Sequence, residues 1–227
     1  MDRFVKQLPE GEGKIFTYAF DISKKEEVDA AIAKTVTECP PIDILVNNAG
    51  FALAATKPFW EQDFKDVDTV LGVNLHGVMY VTYAVLREHM MKRDRGGRGT
   101  IVNISSITGH QAPPKQFCET SYHTSKAALE GFSNVLRQEL SGTNIRLLVN
   151  RPGIVETKFH ARRSEYDEKA TAAVFEGISP LQAEDIAQSV LWQCLQPERI
   201  SVVLMETLST SVRSLYEIDR EWDKRNE

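Results

Sequence analysis

Thr100-Ile101-Val102-Asn103-Ile104-Ser105-Ser106-Ile107-Thr108-Gly109 is a short apolar run that breaks into a turn of small hydroxyl residues. It reads as a buried β-strand whose C-terminal end presents hydroxyls. Open α/β sheets build their sites at that end of their strands. The same pattern recurs on both sides. Upstream, Asp43-Ile-Leu-Val-Asn47-Asn48-Ala49-Gly50 is a strand ending in amides and a glycine. Downstream, Ile145 to Asn150 is a third strand, followed by Arg151-Pro152-Gly153-Ile154-Val155-Glu156-Thr157. Between the second and third lies Tyr122-His-Thr-Ser-Lys126, where a helix would stack a phenol and an ammonium on one face. A tyrosine ordinarily ionises near pH ~10, and a cation close by favours the phenolate. The pair is therefore a candidate proton-transfer device.

The remaining periodicity fills in an alternating pattern. Lys14 to Phe20 reads as a strand with Asp21 at its end, and Ser23 as the cap of a helix through about Glu38, stopped by Pro40-Pro41. Residues 61–92 read as a long helical region interrupted at Gly72 and Asn74. The helix of Tyr122 runs to about Leu140, with Ala127, Ala128 and Gly131 small enough to admit a second helix. Residues 158–180 read as irregular, charge-rich chain over a site. A helix from Ala183 to Cys194 and a strand from Ile200 to Leu204 close the pattern, and the tail from Tyr216 carries no assigned function. Strands alternating with helices imply a mostly parallel sheet covered on both faces.

Composition bounds the partners. The 227 residues suit one domain, 42% apolar and 26% charged, with a net charge of −5 that favours neither nucleic acid nor an anionic membrane. No apolar stretch reads as membrane-spanning, and no signal peptide is evident. Cys39, Cys118 and Cys194 are odd in number and far apart, as in a cytoplasmic protein with reduced thiols. The histidines show no ligand spacing, so no metal site is expected.

In this order and spacing, the four motifs resemble the classical short-chain dehydrogenase/reductase family, over about residues 14 to 206 of the chain. The resemblance implies a Rossmann-like, doubly wound parallel sheet, N-terminally truncated: the first two strands, the first helix and the glycine-rich phosphate turn of the family have no counterpart. Gly11 and Gly13 follow no strand and open no helix. The family's strand order would leave the Lys14 strand about 14 Å from the Asp43 strand. A shortened reading frame, a Lys14 strand that slides in to pair, and an edge covered by another subunit are the three accounts of this.

By resemblance, Tyr122 is the catalytic acid/base and Lys126 lowers its pKa and binds the nicotinamide ribose. Ser106 polarises the substrate oxygen and Asn74 helps hold a relay water. Ser105 and Asn47 are structural. Asp21 and Ile22 contact the adenine, Asn48, Ala49 and Gly50 the adenosine ribose, and Pro152, Gly153, Ile154 and Thr157 the nicotinamide. The interval from Ser106 to Tyr122 is longer than is usual, with the extra length near Lys115 to Glu119; Cys118 there is a candidate pocket residue or a small hydrophobe. The implied function is NADP-dependent (or NAD-dependent) oxidation or reduction of a small-molecule carbonyl or secondary alcohol, the softer likeness being to enzymes of small hydroxy acids. The resemblance also implies a homo-oligomer through the helices at 61–92 and 122–140. The alternative is a catalytically inert dehydrogenase-like subunit that binds a partner chain.

Overall fold

The structure, a computed structural model, describes residues 13–53 and 57–226. Among the described residues four strands form one sheet: β1 (Ile44–Asn47), β2 (Arg98–Ile104), β3 (Asn144–Pro152) and β4 (Leu204–Thr207). All pairings are parallel and the order is β1-β2-β3-β4. The helices are α1 (Lys25–Glu38), α2 (Phe64–Leu71), α3 (Val78–Glu88), α4 (Thr120–Glu139), α5 (Lys158–Arg163), α6 (Glu168–Phe175), α7 (Ala183–Cys194) and α8 (Trp222–Asn226).

Burial explains why the central strands lack polar alternation. Thr100 to Asn103 of β2 and Leu147 to Asn150 of β3 are buried throughout, because helices cover both faces of a parallel sheet. The main core joins Val28 and Ile32 of α1, Ala84 and Val85 of α3, Ile101 of β2 and Leu147 of β3. Each valine, leucine or isoleucine among these contributes roughly 1.5–3 kcal/mol of transfer free energy.

Amides stitch the strand ends together. Asn47 and Asn103 are register partners, and Asn47 Nδ2 donates to Asn103 Oδ1 at 2.8 Å and to Thr82 Oγ1 at 2.9 Å. Asn103 Nδ2 in turn donates to Ser133 Oγ of α4 at 2.8 Å. Asn47 is thus a strand-end tie, as the sequence suggested.

Several elements differ from the sequence expectation. Residues 14–20 form no strand, and Ile15 and Phe16 are 53% and 41% exposed. An extended segment becomes a strand only with a neighbour to bond, and β1 pairs with β2 alone among the described residues. The Lys14 segment therefore has not slid in to pair; only Phe20 and Ile22 pack on the core. Ser23 does not cap α1. Its hydroxyl and amide both bond Asp21 Oδ1, and Lys24 takes the cap position without a side-chain bond. The 61–92 region starts at Phe64, where Asp63 accepts from the Lys65 amide. It widens to a π-helical turn at Gly72–Gly77, which places Asn74 fully inside. Contrary to expectation, the continuous helical stretch Phe64–Lys92 is long and apolar enough by composition alone to cross a membrane. Its Val67, Val70, Val78 and Val85 are buried in this fold, whereas Phe64, Met79 and Tyr83 are exposed. Residues 158–180 hold α5 and α6 rather than irregular chain, because Thr157 and Asp167 cap them. The last strand lies later than expected, since β3 pairs with it only from Val149↔Leu204 to Pro152↔Thr207. A Cβ at Gly131 would meet open space, so no second helix of the described residues packs there.

Candidate active site

β2 delivers Ser105 and Ser106 to the carboxyl edge of the sheet, and the chain turns through a 3-10 segment, Ile107–Gly109. Strand alternation sends the two serines apart. Ser105 Oγ donates to Glu130 Oε1 at 2.7 Å, so it ties the turn to α4. Ser106 Oγ accepts from the Thr108 amide at 3.2 Å and also reaches the phenol of Tyr122. On α4, Tyr122 and Lys126 stand one turn apart and are 8% and 5% exposed. His123 bonds the Thr108 carbonyl and fixes that helix to the serine turn.

Two features of this pair depart from the sequence reading. Lys126 Nζ donates to the Ile104 carbonyl at 2.7 Å and lies 5.7 Å from the centre of the Tyr122 ring. Its ammonium is directed to β2 rather than to the phenol. Burial lowers its pKa to about 8, against the supporting charge of Glu130. Burial pushes the Tyr122 phenol well above its ordinary pKa, and the nearby Glu119 carboxylate adds to this. The Ser106 hydrogen bond and the Arg163 charge oppose the shift without cancelling it. Tyr122 is therefore held protonated at neutral pH, as a proton donor must be. It is not acidified by Lys126 in this arrangement.

Asn74 has a well-defined setting. Its Oδ1 accepts from the Phe51 amide at 3.0 Å, and its Nδ2 donates to the Phe51 carbonyl at 2.8 Å and to Ser125 Oγ at 3.1 Å. It binds the segment after β1 to α4. A Cβ on Gly50 would lie 3.2 Å from Asn74 Oδ1 and 3.5 Å from Lys126 Nζ. The glycine lets backbone approach the ammonium.

Ser106, Tyr122, Lys126 and Gly50 face one cavity of about 380 Å³. Of the expected cofactor residues, Asn48, Gly50, Tyr122, Lys126, Pro152, Gly153, Ile154 and Thr157 line it, together with Ser106. Asp21, Ile22, Ala49 and Asn74 lie outside its lining. Asp21 is engaged by Ser23, whose hydrogen bonds lower its pKa, and Ile22 packs against Gly77. A Cβ at Gly153 would fall 2.7 Å from Leu208 Cδ2, so the Leu208 side chain would have to shift to admit one. The Thr157 hydroxyl caps α5.

The nicotinamide end of a dinucleotide fits these residues: a buried ammonium, a wall stripped of Cβ at Gly50, and a cavity with the volume for a planar ring. Among the described residues no glycine-rich turn joins a strand to a helix to hold the pyrophosphate.

Three polar residues of the wall were not singled out from the sequence. Glu119 sits beside Cys118, whose φ of 47° is left-handed, and Glu119 rather than Cys118 lines the cavity. It is 4% exposed, and Arg163 Nη1 donates to its Oε1 at 2.5 Å. Burial raises its pKa, while Arg163 works against that rise. His160 is 7% exposed, lies between the rings of Phe159 and Phe175 at 5.4 and 5.2 Å, and has an unpartnered Nδ1. The spacing Glu119 to Tyr122, three residues on one helical face, was the available signal. His160 and Arg163 lie in the 158–180 segment, which read as charge-rich chain over a site with no residue marked out within it. The C-terminal tail also contributes, since Leu215 and Ile218 line the cavity.

Burial lowers the His160 pKa to about 4. An unfolded histidine titrates near ~6.5, so the unfolded chain binds the extra proton first. Stability carried by this group is therefore complete above about pH 6.5 and falls as pH drops towards about 4, by roughly 3 kcal/mol at most. His160→Phe, which keeps the aromatic stack, should flatten the urea-unfolding free energy over that interval relative to wild type. Parallel curves for the two proteins would refute the assignment.

A short chain dehydrogenase family model matches residues 1–168. Serine 3-dehydrogenase of Agrobacterium fabrum is 32% identical over 190 residues, 84% of this chain and 73% of that protein. Sulfoacetaldehyde reductase 2 of Chromohalobacter salexigens is 31% identical over 209 residues, 92% of this chain and 80% of that one. Among solved structures, the closed form of serine dehydrogenase complexed with NADP+ superimposes with a TM-score of 0.74 at 29% identity, over 85% of this chain and 75% of that one.

Proposed function

We propose that this chain, which belongs to the short-chain dehydrogenase/reductase family, reduces a small carbonyl compound, with Tyr122 as proton donor, Ser106 as the donor to the substrate oxygen, and Lys126 as the cation that fixes the cofactor. The chain is an NADP-dependent oxidoreductase with a Rossmann-like fold. The observation that carries the residue assignment is the shared cavity in which the Ser106 hydroxyl meets the Tyr122 phenol within reach of the Lys126 side chain.

When bound, the nicotinamide supplies or accepts a hydride. This chain's residues supply the rest. Ser106 and Tyr122 point hydroxyls at one place, where a carbonyl oxygen gains negative charge during reduction, and donors fixed in advance stabilise that charge. The raised pKa of Tyr122 keeps its proton available for that oxygen. Lys126, with Asn48 and the Gly50 backbone, would hold the nicotinamide ribose side, and Pro152, Ile154 and Thr157 the carboxamide side. Asp21, Ile22 and Ala49 would lie along the adenine end, beyond the cavity. Asn74 acts through the Phe51 segment and Ser125, which holds the wall of the site in place.

The names of the relatives, a serine 3-dehydrogenase and a sulfoacetaldehyde reductase, support only the broad class of small hydroxy or carbonyl compounds. Unpaired Cys39, Cys118 and Cys194 support a cytoplasmic setting. Met79, Tyr83 and Val135, exposed on α3 and α4, support assembly with further copies of this chain. The inert-subunit alternative is not favoured by a cavity that keeps all three reactive side chains. The direct test is loss of NADPH absorbance with a panel of small aldehydes and ketones. Ser106→Ala should lower kcat about a hundredfold, the scale for one lost oxyanion donor. Absence of NADPH oxidation with every carbonyl, in protein that binds NADPH, would reject the reading.

A further inference from the structure

We infer that the pocket selects neutral carbonyl compounds over anionic ones, because Glu119 has already neutralised the arginine that would otherwise attract an acid. The inference rests on the hydride-transfer reading above and concerns the substrate end of the same cavity.

Arg163 is the cation of that end. Its side chain is 13% exposed, its Nη1 is 2.5 Å from Glu119 Oε1, and its guanidinium covers the Phe117 ring at 4.8 Å. The Glu119 side chain is 2% exposed. An incoming carboxylate or sulfonate would meet an ion pair rather than a lone cation, so the attraction of Arg163 is opposed by the repulsion of Glu119. It would also surrender its own hydration inside a wall made of Ile107, Pro113, Phe159, Val174, Leu215 and Ile218. A neutral molecule gains from that apolar wall and loses nothing to Glu119.

The other charged wall group, Lys126, is directed to the Ile104 carbonyl. Two uncharged polar groups remain without partners, His160 Nδ1 and Thr108 Oγ1, both buried in the same wall. They offer a hydrogen bond to a second polar group of the ligand, such as an ester, ketone or hydroxyl. The ligand class is therefore a neutral carbonyl compound with an apolar body and one further hydrogen-bonding group.

The test compares methyl levulinate with levulinate, which differ in a methyl ester against a carboxylate. Reduction with NADPH gives kcat/KM, and saturation-transfer NMR gives binding without turnover. At pH 8 the wild-type protein should favour the ester at least about tenfold in both measures, the scale of one uncompensated buried charge. Glu119→Gln, which leaves Arg163 charged, should shrink that ratio at least about tenfold. Glu119→Gln with Arg163→Met, which removes both charges, should restore the preference for the ester. A wild-type preference for levulinate, or a ratio unmoved by Glu119→Gln, overturns the inference. Ester-selective binding without any reduction would sink the hydride-transfer reading and leave the charge argument standing. Reduction of both ketones without selectivity would do the reverse.

Discussion

Tyr122→Phe should lower turnover of any carbonyl substrate by about three orders of magnitude, near the upper end for loss of a general acid. NADPH affinity should change by less than about threefold, because the variant loses no group assigned to the cofactor beyond one hydroxyl. The fold should be unaffected. The ring keeps its contact with Phe159, 5.3 Å between centroids, and the site is tight enough that a phenylalanine fills the same volume. What disappears is the proton held on the phenol by burial. Ser106 would remain to polarise the oxygen, so a small residual rate is expected with no donor to complete the reduction. Stopped-flow transients separate the possibilities: the hydride step should slow along with kcat. Unchanged kcat in this variant would remove Tyr122 from the chemistry, and with it the reason for placing a carbonyl beside Ser106.

The parts of this molecule legible in the sequence are those where local pattern and tertiary demand agree. β2 and β3 were visible because strands buried on both faces must be apolar along their whole length. The helix of Tyr122 and Lys126 was visible because its stripe of Leu129 and Leu136 repeats with the helical period. The Ala183–Cys194 helix matched at both ends. Failures fall where a partner decides the outcome. Lys14 to Phe20 has strand composition, but composition supplies no neighbouring edge, so the segment stays without secondary structure. α5 and α6 are too short for periodicity to show; of their caps, Thr157 reads as a nicotinamide contact rather than as a helix start, and Asp167 lies inside a charge-rich run. That Ser106, Tyr122 and Lys126 come together on one cavity was legible, and their electrostatics were not. Spacing places an ammonium near a phenol; it says nothing of the Ile104 carbonyl that draws the ammonium aside. Nor does it show that Glu119 turns inward onto Arg163, since an acid and a base 44 positions apart look like two solvated charges.

Lys126→Met gives the second large effect, and its two readouts should move in different directions. Turnover should fall about a hundredfold or more, because the cation assigned to the cofactor is gone. Stability should not fall with it. Burial lowers the Lys126 pKa from 10.5 to about 8, so the folded state resists the charge that the unfolded chain carries freely. Here the unfolded chain binds the proton more tightly, so stability rises with pH between about 8 and about 10.5. Below about pH 8 the wild-type protein bears the full cost of the buried ammonium, roughly 3 kcal/mol. Methionine, similar in length and uncharged, removes that cost and leaves the Ile104 carbonyl without its 2.7 Å donor, a loss of about 1–3 kcal/mol. The two terms leave the variant equal to or more stable than wild type at pH 7, with an advantage that shrinks as pH approaches about 10. Thermal unfolding across pH 7 to 10 reads this directly. A variant that is inactive and markedly less stable at pH 7 would show that Lys126 holds the fold together and would leave its functional role unsupported. An inactive variant of undiminished stability would mean that the buried charge is retained at the expense of stability, for a role in the site.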